Sequence, residues 1–177
     1  MNTRTAMPSA QLPDDVVRLA GKYLTFRLAN EEYGIEIVKV QEIIGMLPVA
    51  KLPLVPDYVR GVVNLRGRII PTIDLRTKFG MACTPDTEKT CIIVVGMKGS
   101  DALHHFGIVV DEVAEVMNVG PQQVNAAPDF GASLNAHFIR RVGLVNGGVK
   151  ILLDIDHVLS GAALESIQGG VQGRLPS

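Results

Sequence analysis

The histidines and cysteines are the residues best suited to metal binding or catalysis, but their spacing favours neither. The chain has four histidines and two cysteines. His104 and His105 open a predicted strand, where successive side chains point to opposite faces, so the pair cannot grip one metal ion. Cys83 and Cys91 form no Cys-x-x-Cys motif and have no histidines at zinc-site spacing. We therefore expect no metal site and two reduced thiols.

Serine, histidine and aspartate are all present, but no catalytic arrangement is recognisable. A Gly-x-Ser-x-Gly elbow, which would expose a nucleophile at a strand-to-helix turn, does not occur. The segment Asn64–Arg68 has too few glycines for a phosphate loop, and no helix follows it. We expect no enzyme activity and no cofactor. An active site between two lobes is the alternative, and it would need converging titratable residues.

Composition excludes several classes of protein. Apolar residues make up 47% of the chain and charged residues 20%, which is enough apolar material for a core. Basic residues number 17 and acidic residues 18, so no basic surplus favours a nucleic acid partner. No apolar run approaches the roughly 18 residues of a membrane span. The first residues lack the apolar stretch of a signal peptide. We expect a cytoplasmic protein without direct membrane insertion.

The chain contains two copies of one small unit. Tyr33-Gly34-Ile35 recurs as Phe106-Gly107-Ile108, an offset of 73 residues (from 33 to 106). Further along, Asp74-Leu75 recurs as Asp154-Ile155, an offset of 80 (from 74 to 154). A near-constant offset is the signature of an internal repeat. We expect lobe one at about 21–82 and lobe two at about 88–160, with a groove between them.

Both lobes belong to one predicted domain, at 21–165. A flexible arm should precede it at 1–20, and a glycine-rich, disordered tail should follow at 166–177. Many short strands at short intervals, with little helix, predict an all-β fold of small barrels rather than a parallel α/β sheet. A long loop is predicted at 120–136.

Turn residues predict the hairpins and their surroundings. The turns should lie at Arg66-Gly67 and at Asn146-Gly147, the second being a strong hairpin signal. Pro71 cannot donate to a ladder, which places its strand at a sheet edge. Asp74 and Asp154 should each cap a short helix.

Arg66 occupies a turn position where Asn is the better residue. Its repeat counterpart is Asn146, and Asn-Gly suits hairpin geometry. A residue poorly suited to the turn indicates selection for something else. At a solvent-exposed tip, an arginine could reach a partner's carboxylate or amide.

Two apolar positions near Arg66 strengthen this interpretation. Ile70 corresponds to Lys150 in the second copy, and Val38 corresponds to Asp111. We expect Ile70 on the face opposite the core, so that the two form an exposed aliphatic patch. Such a patch beside an arginine is typical of a protein interface. Glu42 and its counterpart Glu115 are the repeat-related acids.

Two segments resemble a known family. Residues 32–43 (EYGIEIVKVQEI) and 59–76 (VRGVVNLRGRIIPTIDLR) are similar to the CheW family of bacterial chemotaxis coupling proteins. The resemblance covers about 22–160. It implies two intertwined five-stranded SH3-like β-barrels with a few short helices, and no catalysis. Arg68 is a departure, because this position is often apolar in the family motif.

The resemblance also implies partners. Such proteins join the cytoplasmic tips of methyl-accepting chemoreceptors to the regulatory domain of the histidine kinase CheA. It implies a receptor-binding set in the groove between the lobes, at Val40, Glu42, Ile43, Arg60 and Arg66. It also implies a kinase-binding set on the following loop, at Val49, Lys51 and Leu52.

Alternatives remain open at this level. A similar adaptor could serve a non-flagellar pathway such as pilus-driven motility, and no residue separates that case. A lobe of this kind can also be fused to a receiver domain in a phosphorylatable regulator. That would need roughly a hundred further residues of α/β pattern, which the chain to Ser177 does not contain.

Overall fold

The computed structural model describes residues 21–98, 103–126 and 139–159. The predicted arm at 1–20, the tail at 166–177 and residues 127–136 of the predicted loop lie outside these ranges. The first part of that loop is described, and it is not irregular throughout. It contains a 3₁₀ turn at Pro121–Gln123 and a short strand at Val124–Ala126.

Strands dominate the described ranges. The structure has eleven strands there: β1 (Gly21–Leu28), β2 (Glu31–Glu36), β3 (Val40–Gly45), β4 (Val59–Leu65), β5 (Arg68–Asp74), β6 (Cys91–Lys98), β7 (Leu103–Val110), β8 (Glu112–Val119), β9 (Val124–Ala126), β10 (Ile139–Val145) and β11 (Gly148–Leu153). Two short helices follow β5 and β11, namely α1 (Leu75–Lys78) and α2 (Ile155–Val158). A 3₁₀ turn at Ile37–Lys39 separates β2 from β3.

The strands form two sheets that exchange strands between the repeats. One sheet has the order β8-β1-β2-β11-β10-β9, and the other has the order β3-β6-β7-β5-β4. Each sheet therefore takes two strands from the beginning of one repeat and three from the remainder of the other. The short β9 is a sixth strand in the first sheet. The all-β class and the intertwining are confirmed, and neither predicted lobe forms a sheet on its own.

The repeated glycine of the Tyr/Phe-Gly-Ile motif lies where two strands meet in parallel. Thr72 of β5 is opposite Gly107 of β7, and Leu152 of β11 is opposite Gly34 of β2. A Cβ at Gly107 would lie 2.7 Å from Cγ2 of Ile92 and 3.1 Å from Cγ2 of Thr72. A Cβ at Gly34 would lie 3.1 Å from Cδ2 of Leu152. Both glycines therefore permit the close approach that joins the repeats.

One large core cluster draws residues from both sheets. Its fully buried members include Phe26 and Ile35 from one sheet, and Ile73 and Ile108 from the other. Val158 of α2 closes the same cluster. Burial of this aliphatic surface is the main stabilising term, at about 25 cal/mol for each Å² removed from water.

The prediction that Pro71 marks an edge strand was wrong. β5 lies between β4 and β7. Pro71 is opposite Val62, whose N–H and C=O both bond to Ala50 on the far side of β4, at 2.8 and 2.9 Å. Val62 and Pro71 are therefore a non-hydrogen-bonded pair of the antiparallel ladder. The absence of an N–H on Pro71 costs no hydrogen bond between β4 and β5. The parallel pairing with β7 begins only at Thr72.

The prediction that Ile70 is exposed was also wrong. Its side chain is 2% exposed and packs in a second cluster with Val63, Leu65 and Ile92. The reason is that β5 is covered on both faces beyond its first residues. Val38, the other predicted member of the aliphatic patch, is 78% exposed. The patch therefore loses Ile70 and keeps Val38.

The predicted hairpins and caps are confirmed. Arg66 and Gly67 have φ values of 54° and 88°, and Asn146 and Gly147 have 54° and 75°, as tight two-residue hairpin turns require. The carboxylate of Asp74 accepts hydrogen bonds from the first N–H groups of α1. The carboxylate of Asp154 accepts one such hydrogen bond in α2, from the N–H of His157.

Candidate functional site

Arg66 and Glu42 form an ion pair at the tip of the first hairpin. Nη1 of Arg66 donates to Oε1 of Glu42 at 2.9 Å. The Arg66 side chain is 69% exposed, whereas that of Glu42 on β3 is 27% exposed. The hydrogen bond from Arg66 is the main cause that lowers the pKa of Glu42, and the charge of Arg68 adds to it. The carboxylate is therefore ionised at neutral pH.

The backbone of Arg66 is unfavourable for an arginine. Its φ of 54° is in the left-handed region, which non-glycine residues other than Asn and Asp seldom adopt. The turn is closed independently of the arginine side chain, because Oδ1 of Asn64 accepts from the N–H of Gly67 at 2.8 Å. The side chain is thus free to serve another purpose, as its contrast with Asn146 indicates.

The neighbouring residues of β3 divide into exposed and packed positions. Ile43 is 44% exposed beside Glu42. Val40 is partly buried against the main core cluster, so it contributes less accessible surface. The structure therefore brings Glu42 and Arg66 together, and we call the surface around this pair the hairpin face. Ile43, the next residue of β3, points to the opposite side of the strand.

Arg60 is occupied by two carboxylates. Its Nε donates to Oδ2 of Asp74 at 3.0 Å. Its Nη1 and Nη2 donate to the two oxygens of Asp86 at 3.0 and 2.9 Å. The hydrogen bonds that Arg60 donates to Asp86, and then the one that it donates to Asp74, raise the pKa of Arg60 well above its ordinary value. Arg60 thus fixes the segment between α1 and β6 against β4 instead of offering a free cation.

A groove of about 510 Å³ collects the residues of the predicted kinase-binding set. Val49, Lys51 and Leu52 line it together with Arg60. Its other lining residues come from the loop, from β5 and α1, and from the following segment: Val55, Pro56, Asp57, Val59, Asp74, Thr77, Cys83 and Thr84. We call this feature the loop groove.

The loop of this groove is held tightly against β4. Ala50 exchanges two backbone hydrogen bonds with Val62. At Gly61, with φ of 143°, a Cβ would lie only 2.1 Å from the carbonyl oxygen of Ala50. Glycine is therefore required for the loop to lie this close, and the loop presents Lys51 on a fixed backbone.

An ion pair that sequence reasoning missed joins the two repeats. Arg76 of α1 binds Asp111, which lies between β7 and β8, through two hydrogen bonds. Asp111 also accepts from the N–H of Ala29 at 2.8 Å, and Nη1 of Arg76 donates to the carbonyl of Ala82 at 3.0 Å. Burial disfavours ionisation of Asp111, but these hydrogen bonds outweigh it and lower its pKa. In the sequence, the only signal for this contact was that the charged Asp111 is the repeat counterpart of the apolar Val38.

Arg68 and His105 form a further contact beside the hairpin face. Nη1 of Arg68 lies 3.4 Å from Nδ1 of His105. The unusual charge at position 68 was visible in the sequence, but its histidine neighbour was not, because 37 residues separate the two.

Within residues 21–98, 103–126 and 139–159, no group of three or more His, Cys, Asp or Glu side chains is placed to hold a metal ion. The same ranges contain no helix with the length and apolar character needed to span a membrane.

Comparison with known proteins assigns the family. Residues 22–163 match the CheW-like domain. The chain belongs to this family. It is 41% identical over 150 residues to the chemotaxis protein CheW of Klebsiella aerogenes, covering 82% of this chain and 88% of that one. It is 31% identical over 135 residues to CheW of Rhizobium meliloti, covering 76% and 84% respectively.

A solved structure gives the same result. The scaffolding protein TtCheW from Thermoanaerobacter tengcongensis matches with a TM-score of 0.72 and 27% identity, covering 81% of this chain and 95% of that chain. The resemblance inferred from residues 32–43 and 59–76 is confirmed, and so is the fold of two SH3-like barrels. A CheW-type adaptor in chemotaxis is the functional class that this membership supports.

Proposed function

We propose that this chain is a non-enzymatic scaffold that couples methyl-accepting chemoreceptors to the histidine kinase CheA. The observation that carries the proposal is the hairpin face, where Arg66 is exposed in an unfavourable backbone conformation and paired with Glu42. Its location within a CheW-like domain, and the relatives named above, support a chemotaxis role.

The hairpin face is the proposed receptor-binding surface. The Arg66–Glu42 pair supplies a donor and an acceptor in fixed geometry, and Ile43 supplies exposed apolar area on the other side of β3. Arginine and exposed apolar side chains are both typical of protein interfaces, and in this proposal both contact a receptor helix. Arg60 acts indirectly in this proposal, by holding the segment that contains Asp86.

The loop groove is the proposed surface for the regulatory domain of CheA. Val49 and Leu52 are partly exposed there, and Lys51 is exposed. The fixed backbone of this loop favours tight binding, because a preformed surface loses little conformational entropy when a partner docks.

Two separate surfaces on one small body explain how coupling would work. A protein that binds a receptor and a kinase at once raises their effective concentration for each other, although each contact is weak. Changes in the receptor would then reach the kinase through small shifts of packed elements. In this proposal the protein is cytoplasmic and reaches the membrane-associated receptor array through its partners.

Co-sedimentation with receptor-containing membranes tests the proposal. Wild type and Arg66→Ala are compared with and without the cognate CheA, and Lys22→Ala serves as a control at an exposed lysine on β1. We expect wild type and the control to sediment with the membranes and to recruit CheA. We expect Arg66→Ala to lose receptor binding while it still binds CheA.

Each of the other outcomes contradicts a different part of the proposed function. Binding of wild type to CheA without binding to chemoreceptors would remove the receptor assignment. Binding to neither partner would remove the coupling role and leave only the fold. Full receptor binding by Arg66→Ala would move the receptor site away from the hairpin face.

A further inference from the structure

Arg68 adds a second guanidinium to the hairpin face. It is the first residue of β5, two positions after Arg66, and its side chain is exposed. It lies close enough to Glu42 for its charge to lower the pKa of that carboxylate. The hairpin face therefore has two arginines around one glutamate.

Glu42 pairs with Arg66 and not with Arg68. Its Oε1 accepts from Arg66, while its Oε2 is shielded from solvent and has no hydrogen-bond partner within the described ranges. Among residues 21–98, 103–126 and 139–159, no carboxylate lies at ion-pair distance from Arg68. One positive charge on this face is therefore left without a paired carboxylate.

His105 supports the Arg68 side chain without neutralising it. Arginine is always a donor, so Nδ1 of His105 can only accept from it, which requires a neutral imidazole. Burial lowers the pKa of His105, and the charges of Arg68 and His104 lower it further. The imidazole thus orients the guanidinium at neutral pH and leaves its charge available.

We propose that Arg68 determines partner specificity at the hairpin face by binding a carboxylate side chain on the receptor. The inference rests on the proposed function and names the chemistry that this chain requires of its partner. A carboxylate matches a planar guanidinium in geometry as well as in charge.

Arg68 departs from the motif that residues 59–76 resemble, in which this position is often apolar. A receptor recognised through Arg68 should differ in charge from one recognised by a chain with the apolar residue. Specificity of this kind arises from a difference between two affinities, and a single charge at an interface is an effective way to produce it.

The test measures the Kd for the soluble cytoplasmic fragment of a methyl-accepting chemoreceptor from the same organism. Wild type is compared with Arg68→Val, Arg68→Glu and Arg68→Lys, and Lys22→Glu is the charge-matched control on β1. At about 0.05 M salt we expect Arg68→Val to weaken binding roughly three- to tenfold, as loss of a partly exposed ion pair would. Arg68→Glu should weaken it more, and Arg68→Lys less. Lys22→Glu should bind like wild type.

A double-mutant cycle identifies the carboxylate. Each exposed Glu or Asp of the receptor tip is changed to Gln or Asn, and every receptor variant is measured against wild type and Arg68→Val. One receptor substitution should weaken binding to wild type at least threefold, yet leave binding to Arg68→Val unchanged. Additive effects at every receptor position would overturn the inference.

Three further results would also overturn the inference, and the third would remove the proposed function as well. An unchanged Kd for folded Arg68→Val, with wild type binding normally, removes the role of Arg68 and leaves the coupling function intact. Selective displacement of the receptor by inorganic phosphate at constant ionic strength would indicate a general anion site instead. Absence of binding by wild type would remove the proposed function and this inference with it.

Discussion

Arg76 holds Asp111 with two parallel hydrogen bonds, from Nε to Oδ1 at 2.8 Å and from Nη2 to Oδ2 at 2.6 Å. The two residues come from different repeats, since Arg76 follows β5 and Asp111 follows β7. Bidentate pairing of arginine with a carboxylate is the strongest form of ion pair in proteins. This contact therefore fastens the end of one repeat to the middle of the other.

Loss of the Arg76–Asp111 pair should destabilise the fold. The side chains are 16% and 29% exposed, so Asp111→Ala leaves a poorly solvated guanidinium unpaired and should cost about 2 kcal/mol. The Tm should fall by about 4–8 °C. Lys39→Ala is the control, because its pair with Asp156 also joins the repeats but is more exposed. An equal fall in Tm for both variants, measured by calorimetry, would contradict the argument.

The close parallel approach at Gly107 should not tolerate a methyl group. Because Gly107→Ala places a Cβ 2.7 Å from Ile92 Cγ2, we expect a loss of about 1–3 kcal/mol in the free energy of unfolding. Gly45→Ala is the matched control, since nothing lies within 4 Å of its added Cβ. Urea denaturation of the two variants measures the difference. Equal stability would show that the strands can separate without cost.

The two hairpin turns permit a reciprocal exchange. Arg66→Asn places a residue that tolerates a left-handed φ in the first turn, so the Tm should not fall, whereas receptor binding should be lost. Asn146→Arg should lower the Tm, because it places a residue that seldom adopts a left-handed φ in the second turn. A larger fall in Tm for Arg66→Asn than for Asn146→Arg would mean that Arg66 serves stability.

Acidification should weaken the fold first through His105. Its pKa is lowered below the ordinary 6.5, chiefly by burial, so the unfolded chain binds a proton at pH values where the native protein does not. Stability should therefore decrease as pH falls below about 6.5, and it should be level above that value with respect to this group. The other charged groups facing His105 are Arg68 and His104, and both oppose its protonation.

The measurement is the free energy of unfolding from urea titrations between pH 5 and pH 7. His105→Gln should flatten the dependence in this range. Asp86 and Asp111, whose pKa values are lowered, contribute stability that is lost only below their ordinary value of 3.8, so the two effects are separable. An unchanged slope in His105→Gln would assign the effect to another group.

Release of the segment after α1 should alter the loop groove without unfolding the protein. Asp86→Asn removes the charge that pairs with Arg60, while Asp74 continues to hold its Nε. We expect faster proteolysis near residue 86, a Tm close to that of wild type and weaker binding of the CheA regulatory domain. Glu88→Gln, a change at an exposed residue of the same segment, should leave all three unchanged. Normal CheA binding by Asp86→Asn would separate this segment from the kinase surface.

Local features of this fold could be predicted, whereas its long-range pairings could not. The turns at Arg66-Gly67 and Asn146-Gly147 and the cap at Asp74 follow from the preferences of the residues themselves. The burial of Ile70 does not, because it depends on Ile92 and Val94 of β6 and on the loop between β3 and β4, which pack against it. The interior position of Pro71 likewise depends on β7, a strand of the other repeat.

The candidate site shows the same limit. The contrast between Arg66 and Asn146 indicated an unusual residue at the hairpin tip, and the structure adds its partner Glu42. The part played by Arg60 was not visible, because it depends on Asp86, 26 residues away in an irregular segment. A charge can be recognised in a sequence, but whether it is already neutralised depends on which distant carboxylate lies beside it.

The exchange of strands between the repeats affects synthesis of the protein. β2 finds its parallel neighbour only in β11, which ends at Leu153, so neither sheet can close while the first repeat is alone outside the ribosome. The strands of the nascent first repeat therefore keep unpaired edges until the second repeat has emerged. By the same geometry, a free single repeat could complete these pairings only by exchanging strands with an identical chain. The pairing of strands within this chain is thus the pattern that a strand-swapped homodimer would have if its two subunits were joined in tandem.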